Sequence, residues 1–180
     1  MRRLILFTVL LTACAPEKPL RVLGEVPEFE LISQTGQKFD RTALDGHVWV
    51  ADFVYTNCQG PCPRMSSHMR ALQKATDSGL KLVSFTVDPD NDTPAVLQAY
   101  AKRFSADPSR WYFLTGAKDT LNTLDRDAFK LGTIGVAMDH STRFVLVDKK
   151  SRIRDYYGIT KNNPIDRIVK DTTHLEKEQS

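Results

Sequence analysis

Two cysteines four positions apart are the residues best suited to chemistry in this sequence. Cys58 and Cys62 lie within residues 55–63, which read YTNCQGPCP. An apolar run typical of a buried strand precedes them, and Pro63 suits the first turn of a helix, where its missing N–H has no intrahelical partner. Unpaired N–H groups and the positive end of the helix dipole favour thiolates, so we expect the pKa values of both cysteines to be lowered. Two such thiolates can bind a soft metal ion, Cu(I) or zinc, and can also form a disulfide.

One histidine is placed to act as a third ligand. His140 lies in residues 138–144, which read MDHSTRF, just ahead of a predicted inner strand. A loop at that position can face the cysteine turn, and two thiolates with one imidazole suit Cu(I), while an added oxygen ligand accommodates Cu(II). Spacing alone leaves open that His140 is a capped loop histidine. We predict structural or surface roles for His47, His68 and His174.

The first residues have the pattern of an export signal. Residues 1–13 combine two arginines, an apolar run and small residues, as a secretory signal peptide does. Residues 11–14 read LTAC, which resembles the lipobox of bacterial lipoproteins, where processing leaves the cysteine, here Cys14, at the new N-terminus with acyl chains attached. An ordinary signal peptide with an incidental cysteine is the alternative. We therefore predict a lipidated Cys14 and polar tether over 14–22, and one folded domain over 23–180 on the periplasmic face of a membrane.

Composition agrees with one exported globular domain. The 180 residues are 41% hydrophobic and 26% charged, which is enough to build one core. Without Arg2 and Arg3, 23 basic residues balance 22 acidic ones, so charge gives no indication of a nucleic-acid partner. No apolar run approaches the roughly 18 residues of a membrane-spanning helix.

Export changes the interpretation of the two remaining cysteines. Unused thiols are a liability in an oxidising compartment, so we expect Cys58 and Cys62 to pair or to bind something. A purely structural disulfide between them is the weaker interpretation, because so short a loop would restrict the unfolded chain little.

Apolar periodicity and turn residues predict an α/β fold. Strands and helices alternate along the chain and end in a strand pair and a helix, which indicates a sandwich with a mixed central sheet. The predicted elements are a hairpin over 29–33 and 37–39, strands over 48–55, 81–87, 111–114, 144–148 and 153–157, and helices over 63–76, 94–104, 119–131 and 163–175. Thr93 is the expected N-cap of the second helix, and Gly132 the expected end of the third.

Four motifs together closely resemble the Sco/SenC family. They are the cysteine segment 55–63, then DPDNDTP at 88–94, YAKRF at 100–104 and DHST at 139–142. The resemblance runs from about residue 29 to residue 174. It implies a thioredoxin-like three-layer sandwich with a mixed central sheet, flanking helices and an N-terminal β-hairpin.

The family resemblance also implies a ligand set and a function. Carried over residue by residue, the ligands of Cu(I) or Cu(II) are Cys58, Cys62 and His140, and Asp139 corresponds to a family aspartate thought to modulate the site. The implied role is a metallochaperone that assembles the CuA centre of cytochrome c oxidase. The implied partners are the oxidase subunit carrying that centre or another periplasmic copper chaperone.

A buried aspartate keeps a second function open. Asp52 lies six residues before Cys58, at a spacing that resembles thioredoxins, and such a carboxylate can accept a proton during thiol exchange. The alternative function is a thiol-disulfide reductase that keeps a partner's copper-site cysteines reduced, with Cys58 as nucleophile and Cys62 as resolving thiol. A hydrogen-bonded structural role is the competing interpretation of Asp52.

The methionines offer soft sulfur of a different kind. Met65, Met69 and Met138 lie close in sequence to the predicted ligands. Methionine at helical spacing more often fills a core than binds a metal, and we expect core packing here.

Overall fold

The computed structural model describes residues 19–77, 79–131, 141–159 and 163–178. The described strands, in chain order, are β1 (Gly24–Glu25), β2 (Glu30–Ser33), β3 (Lys38–Asp40), β4 (Trp49–Val54), β5 (Lys81–Thr86), β6 (Trp111–Thr115), β7 (Arg143–Val147) and β8 (Arg152–Gly158). The described helices are α1 (Pro61–Ala75), α2 (Pro94–Arg103), α3 (Lys118–Asn122) and α4 (Ile165–Lys177), with a 3-10 turn at Arg41–Leu44 and a π-helix at Thr123–Ala128.

The described strands form one mixed sheet in the order β1-β8-β7-β4-β5-β6-β2-β3. Its centre is parallel, because β4 pairs with β5 and β5 with β6 through helical crossovers. β7 runs antiparallel to β4 on the other side, with Trp49 opposite Val147 and Ala51 opposite Val145. All six residues of β4 are buried, as expected for a central strand covered on both faces.

Alternation along β4 divides the interior into two cores. Val50 and Val54 face a first core, closed by α1, α2 and α4, whereas Trp49, Ala51 and Phe53 face a second core. The second core is closed by the 3-10 turn, α3, the π-helix and the residues leading into the β2–β3 hairpin. The sheet with a layer on each face is the predicted three-layer sandwich.

The start of the first predicted helix is confirmed, and the extent of the third was wrong. α1 begins at Pro61, so Pro63 lies in its first turn, as predicted. The predicted helix over 119–131 is α3 followed by the π-helix, in which the Phe129 N–H donates to the Leu124 carbonyl at 2.8 Å. The chain leaves the helix at Lys130, which has a φ of +53°, so the turn comes before Gly132, a residue outside the described ranges.

A buried ionic network closes the sheet at the start of β4. Arg154 of β8 donates to Asp148 at 2.7 Å and to Glu178, at the C-terminal end of α4, at 2.8 and 3.0 Å. Arg154 also donates to the carbonyl of Leu20 at 2.6 Å, and Leu20, within the predicted tether, packs against the first core. The first described residues thus join the fold at the end of the sheet opposite to the cysteines. No helix in the described ranges is both long and apolar enough to cross a membrane.

Candidate metal centre

A tight turn at the end of β4 presents the first cysteine. The N–H of Cys58 donates to the carbonyl of Tyr55 at 3.3 Å, and the chain then reaches α1 through Gly60. Cys62 is the second residue of α1, and its N–H donates to the Cys58 sulfur at 3.4 Å. Both cysteine side chains are buried, with 7% of Cys58 and none of Cys62 exposed. The structure therefore places one cysteine in the turn and the other at the start of the helix, next to each other, as predicted.

The two thiols differ in acidity. Burial raises the pKa of Cys58, but hydrogen bonds from the Cys62 thiol and N–H, the Gly60 N–H and the Tyr55 side chain outweigh it, so this pKa lies below its ordinary value. Burial raises the pKa of Cys62 strongly, and its hydrogen bond to Cys58 raises it further. The expectation that both pKa values are lowered was wrong for Cys62, because one partially negative sulfur disfavours a second charge beside it. Cys58 therefore loses its proton more readily than Cys62.

Asp52 lies beneath the cysteine pair in an apolar environment. It alternates with Val50 and Val54 along β4, so it faces the first core, to which both cysteines also belong. Neither carboxylate oxygen has a hydrogen-bond partner among the described residues. Burial raises the pKa of Asp52 to about 7, an effect that the Ser84 side chain on β5 only partly offsets. The negative charge of Asp52 also raises the pKa of Cys62, so the two groups interact electrostatically. The role of Asp52 as a proton acceptor stays a prediction.

Other polar groups near the pair are satisfied, and sequence reasoning did not find them. The hydroxyls of Ser66 on α1 and Tyr100 on α2 form a buried hydrogen bond of 3.0 Å. The Trp111 indole N–H donates to the Ser84 hydroxyl at 3.1 Å. The sequence signal for Tyr100 was its position as the first residue of the YAKRF motif. Its hydrogen bond to Ser66 could not be predicted, because that contact depends on the packing of α1 on α2. Among these groups Asp52 is the exception.

A second aspartate, also missed by sequence reasoning, holds the cysteine turn. Asp92 is fully buried and accepts hydrogen bonds from the N–H and hydroxyl of Thr56 and, at 2.6 Å, from the hydroxyl of Thr86. The next residue, Thr93, is the N-cap of α2 as predicted, and accepts from the Val96 N–H at 3.4 Å. The signal was the position of Asp92 in the DPDNDTP motif, but its contact with the turn depends on the tertiary fold.

His140, Asp139 and Met138 lie outside the described residues. Within those ranges there is no group of three or more His, Cys, Asp or Glu side chains that could hold a metal ion. Because β7 is antiparallel to β4, its first residue lies at the sheet end where β4 delivers Cys58. The predicted ligand His140 therefore precedes a strand that starts at the cysteine end of the sheet.

Hydrogen bonds link the start of β7 to the first turns of α1. The Ile159 N–H donates to the carbonyl of Thr142 at 3.2 Å. The side chain of Arg64, two residues after Cys62, donates to the Ile159 carbonyl at 2.8 Å. This chain of contacts connects the segment that follows His140 with the helix that carries Cys62.

The remaining histidines are partly buried, and the helical methionines pack in the first core. His68 packs edge-on against Phe144 at 6.2 Å between ring centroids, and burial and the nearby Arg64 charge lower its pKa. The half-buried His174 lies 3.4 Å from Glu178, and His47 is half-buried at the start of β4. The side chains that share the first core with the cysteines include Met65 and Met69, both fully buried.

Comparison with known proteins decides the family. A sequence profile described as SCO1/SenC matches residues 21–176. The chain belongs to the SCO1/SenC family. It is 34% identical over 178 residues to the SCO1 protein homolog of Bacillus subtilis strain 168, covering 92% of this chain and 91% of that protein.

Solved structures of family members confirm the thioredoxin-like fold. A SCO1/SenC family lipoprotein from Bacillus anthracis strain Ames superposes with a TM-score of 0.83 at 33% identity, over 89% of this chain and 100% of that chain. BsSco is described as having a disulfide switch and as a member of the Sco family of cytochrome c oxidase assembly proteins. It superposes with a TM-score of 0.79 at 31% identity, over 89% of this chain and 98% of that chain. Yeast Sco1 solved with copper bound gives 0.70 at 25% identity over 85% and 90%.

Proposed function

We propose that this SCO1/SenC family member is a membrane-anchored copper metallochaperone that delivers copper to the CuA centre of cytochrome c oxidase. The proposed ligands of one copper ion are Cys58, Cys62 and His140. The observation that carries the proposal is the pair of buried cysteines at the start of α1, with the Cys62 N–H donating to the Cys58 sulfur at 3.4 Å. Such soft, closely spaced sulfur ligands suit Cu(I), and the relative in yeast has been solved with copper bound.

The unequal thiols suggest an order of events for the copper cargo. Cys58, whose pKa is lowered, loses its proton more readily than Cys62 and makes the first bond to copper. Cys62 must lose its proton to become the second ligand, so its raised pKa makes copper binding depend on pH. His140 completes a three-coordinate site, and Asp139 beside it would modulate that ligand.

The same asymmetry favours release to an acceptor. When an acceptor thiolate approaches the copper, Cys62 regains a proton more readily than Cys58 does. Cys62 is therefore the first ligand to leave, and copper moves by ligand exchange. The acceptor is the oxidase subunit carrying the CuA centre or another periplasmic copper chaperone, a role supported by the description of BsSco as a Sco-family oxidase assembly protein.

Copper titration tests the ligand set. The reduced protein without its first 18 residues is titrated with Cu(I) against a competing chelator, alongside His140→Ala. His47→Ala is the matched control, because His47 is half-buried at the opposite end of β4. We expect wild type and His47→Ala to bind one copper with equal affinity and His140→Ala to bind at least tenfold more weakly. Equal affinities for all three proteins would reject the proposed site.

Copper transfer tests the delivery step. Copper-loaded protein is mixed with the apo form of a soluble CuA domain, the two are separated, and the copper in each is measured. Copper-glutathione at the same free copper concentration is the control. Faster loading from the protein than from copper-glutathione supports delivery, whereas equal rates would mean that the acceptor takes copper only from solution.

Membrane anchoring is a separate part of the proposal. The lipobox-like residues 11–14 and the similarity to a lipoprotein of Bacillus anthracis support acylation of Cys14 on the extracytoplasmic side. Mass spectrometry of the mature N-terminus measures the modification directly. Cys14→Ser should move the protein from the membrane fraction to the soluble fraction, and an unchanged membrane fraction would contradict the anchor.

A thiol-disulfide reductase is the second candidate, favoured by the position of Asp52. In this reaction the Cys58 thiolate attacks a partner disulfide, forming a mixed disulfide and releasing one partner thiolate. Asp52 accepts the proton of Cys62, whose thiolate then attacks the Cys58 sulfur and releases the second partner thiolate. The protein ends as the Cys58–Cys62 disulfide, so an external dithiol must reduce it before the next cycle.

Asp52→Asn separates the two candidate functions. The amide keeps the size of the side chain but cannot accept the proton, so thiol exchange should slow about tenfold or more while copper affinity stays nearly unchanged. The measurements are the rate of reduction of a model disulfide and the Cu(I) affinity of the same sample. Equal loss of both properties would refute a separate proton-transfer role.

A further inference from the structure

We propose that Asp92 is the positioning residue of the cysteine turn and thereby sets the reactivity of the Cys58–Cys62 pair. This inference rests on the proposed function of that pair. Asp92 belongs to the loop between β5 and α2, which contains neither cysteine, and its carboxylate touches neither sulfur in any described contact. It acts through Thr56, two residues before Cys58.

The contacts of Asp92 converge on one carboxylate. Its Oδ1 and Oδ2 lie 3.3 and 3.2 Å from the Thr56 N–H, and Oδ1 also accepts from the Thr56 hydroxyl. Oδ2 accepts from the Thr86 hydroxyl at 2.6 Å, at the last residue of β5. Asp92 has no exposed surface, so these charge-assisted bonds are shielded from water. The carboxylate thus fastens the cysteine turn to the end of the neighbouring parallel strand.

Thr56 is an effective place to hold this turn. It is the second residue of the turn that the Cys58 N–H closes on the Tyr55 carbonyl, and the third residue, Asn57, is exposed. The side-chain bonds between Thr56 and Asp92 therefore tie the turn to the fold at its second residue. The turn aims Cys58 at the N–H groups that open α1, and the Cys62 N–H donates to its sulfur at 3.4 Å.

Holding the turn should therefore favour the reduced pair. A dithiol whose thiolate is stabilised makes the corresponding disulfide more oxidising. Loosening the turn should make the disulfide less oxidising, because Cys58 then meets the N–H groups less often. Simple removal of a negative charge would act in the opposite direction, since it would stabilise the nearby thiolate.

The test measures the equilibrium of the Cys58–Cys62 disulfide with glutathione in the copper-free protein. Asp92→Asn and Thr56→Val are compared with wild type and with Asp90→Asn. Asp90 is the control because it lies in the same loop and carries the same charge, but it is 75% exposed and pairs only with Lys118 at 3.5 Å in the described contacts. Thr56→Val keeps the charge of Asp92 and removes the hydroxyl that donates to it.

We expect Asp92→Asn and Thr56→Val to shift the equilibrium three- to tenfold towards the disulfide, with Asp90→Asn unchanged. A tenfold shift corresponds to about 30 mV. A shift towards the dithiol in Asp92→Asn, no shift in Thr56→Val, or an equal shift in Asp90→Asn would each overturn the inference. Should Asp92→Asn fail to fold, Thr56→Val decides alone. Failure of wild type to bind copper would reject the chaperone function separately, since this equilibrium contains no copper.

Discussion

The two ends of β4 differ in whether the buried charged groups beside them have partners. At the first end, Arg154 bonds to Asp148, Glu178 and the Leu20 carbonyl, so the charges are paired. At the other end, the carboxylate of Asp52 is fully buried with no hydrogen-bond partner among the described residues. The network leaves its buried charges with partners, whereas the Asp52 carboxylate is buried at an energetic cost in the core that holds both cysteines.

This difference agrees with the proposed site at the cysteine end of β4. Shifted pKa values are common at functional sites, because the chemistry there requires ionisable groups in an environment that disfavours their charged forms. Here the raised pKa of Asp52 and the divergent pKa values of Cys58 and Cys62 share one core. At the other end, hydrogen bonds from Arg152, Arg154 and Lys150 outweigh burial and lower the pKa of Asp148.

Breaking the paired end should have the largest effect on stability. Arg154→Ala leaves Asp148 and Glu178 without their shared guanidinium, and loss of one partner of a buried pair costs about 3 to 5 kcal/mol. Denaturant unfolding measures the free energy, with Arg126→Ala at an exposed ion pair as the control. Copper affinity of the folded fraction should not change. A decrease in the free energy of unfolding below about 1 kcal/mol would show that Arg154 is not needed to satisfy the buried carboxylates.

Neutralising the unpaired end should stabilise the protein in a defined pH window. The pKa of Asp52 is raised from 3.8 to about 7, so between these values the folded state holds a proton that the unfolded state has lost. Stability attributable to Asp52 therefore falls as pH rises from about 4 to about 7, by up to about 4 kcal/mol, and then levels off. Asp52→Asn should remove this fall.

Urea unfolding of wild type and Asp52→Asn at intervals from pH 4 to 8 measures the effect. We expect the stability difference in favour of Asp52→Asn to grow across the window. Parallel pH profiles for the two proteins would mean that Asp52 is not held neutral by burial.

A satisfied polar pair near the cysteines should give the smallest effect. Tyr100→Phe removes the hydroxyl that bonds to Ser66, and loss of one such bond costs roughly 0.5 to 1.5 kcal/mol. Tyr112→Phe is the matched control, because its hydroxyl bonds to the Ser109 carbonyl at an exposed site. Thermal unfolding compares the two variants. An equal change in both would show that burial adds nothing to the Ser66–Tyr100 bond.

The sequence was sufficient for most of the local structure and for the position of the cysteine pair between β4 and α1. Residues 48–55 predicted β4 because a central strand is apolar along its length, and Thr93-Pro94 predicted the start of α2 because capping is a local interaction. The π-helix was missed, since its wider turn accompanies the packing of Phe129 against Trp49 and Phe53 in the second core.

Properties that depend on tertiary neighbours were not predictable. The raised pKa of Cys62 follows from burial beside Cys58, and the bond from Thr56 to Asp92 joins residues 36 positions apart. Periodicity and motif spacing contain neither kind of information. The assignment of His140 rests on family resemblance and on the placement of the start of β7, and it stays a prediction.

X-ray absorption spectroscopy of the Cu(I)-loaded protein tests most directly whether Cys58, Cys62 and His140 bind the copper ion. The account predicts one copper per chain coordinated by two sulfur atoms and one nitrogen atom, with the nitrogen lost in His140→Ala and one sulfur lost in Cys58→Ser or Cys62→Ser. A wild-type spectrum with sulfur ligands alone, unchanged by His140→Ala, would contradict it.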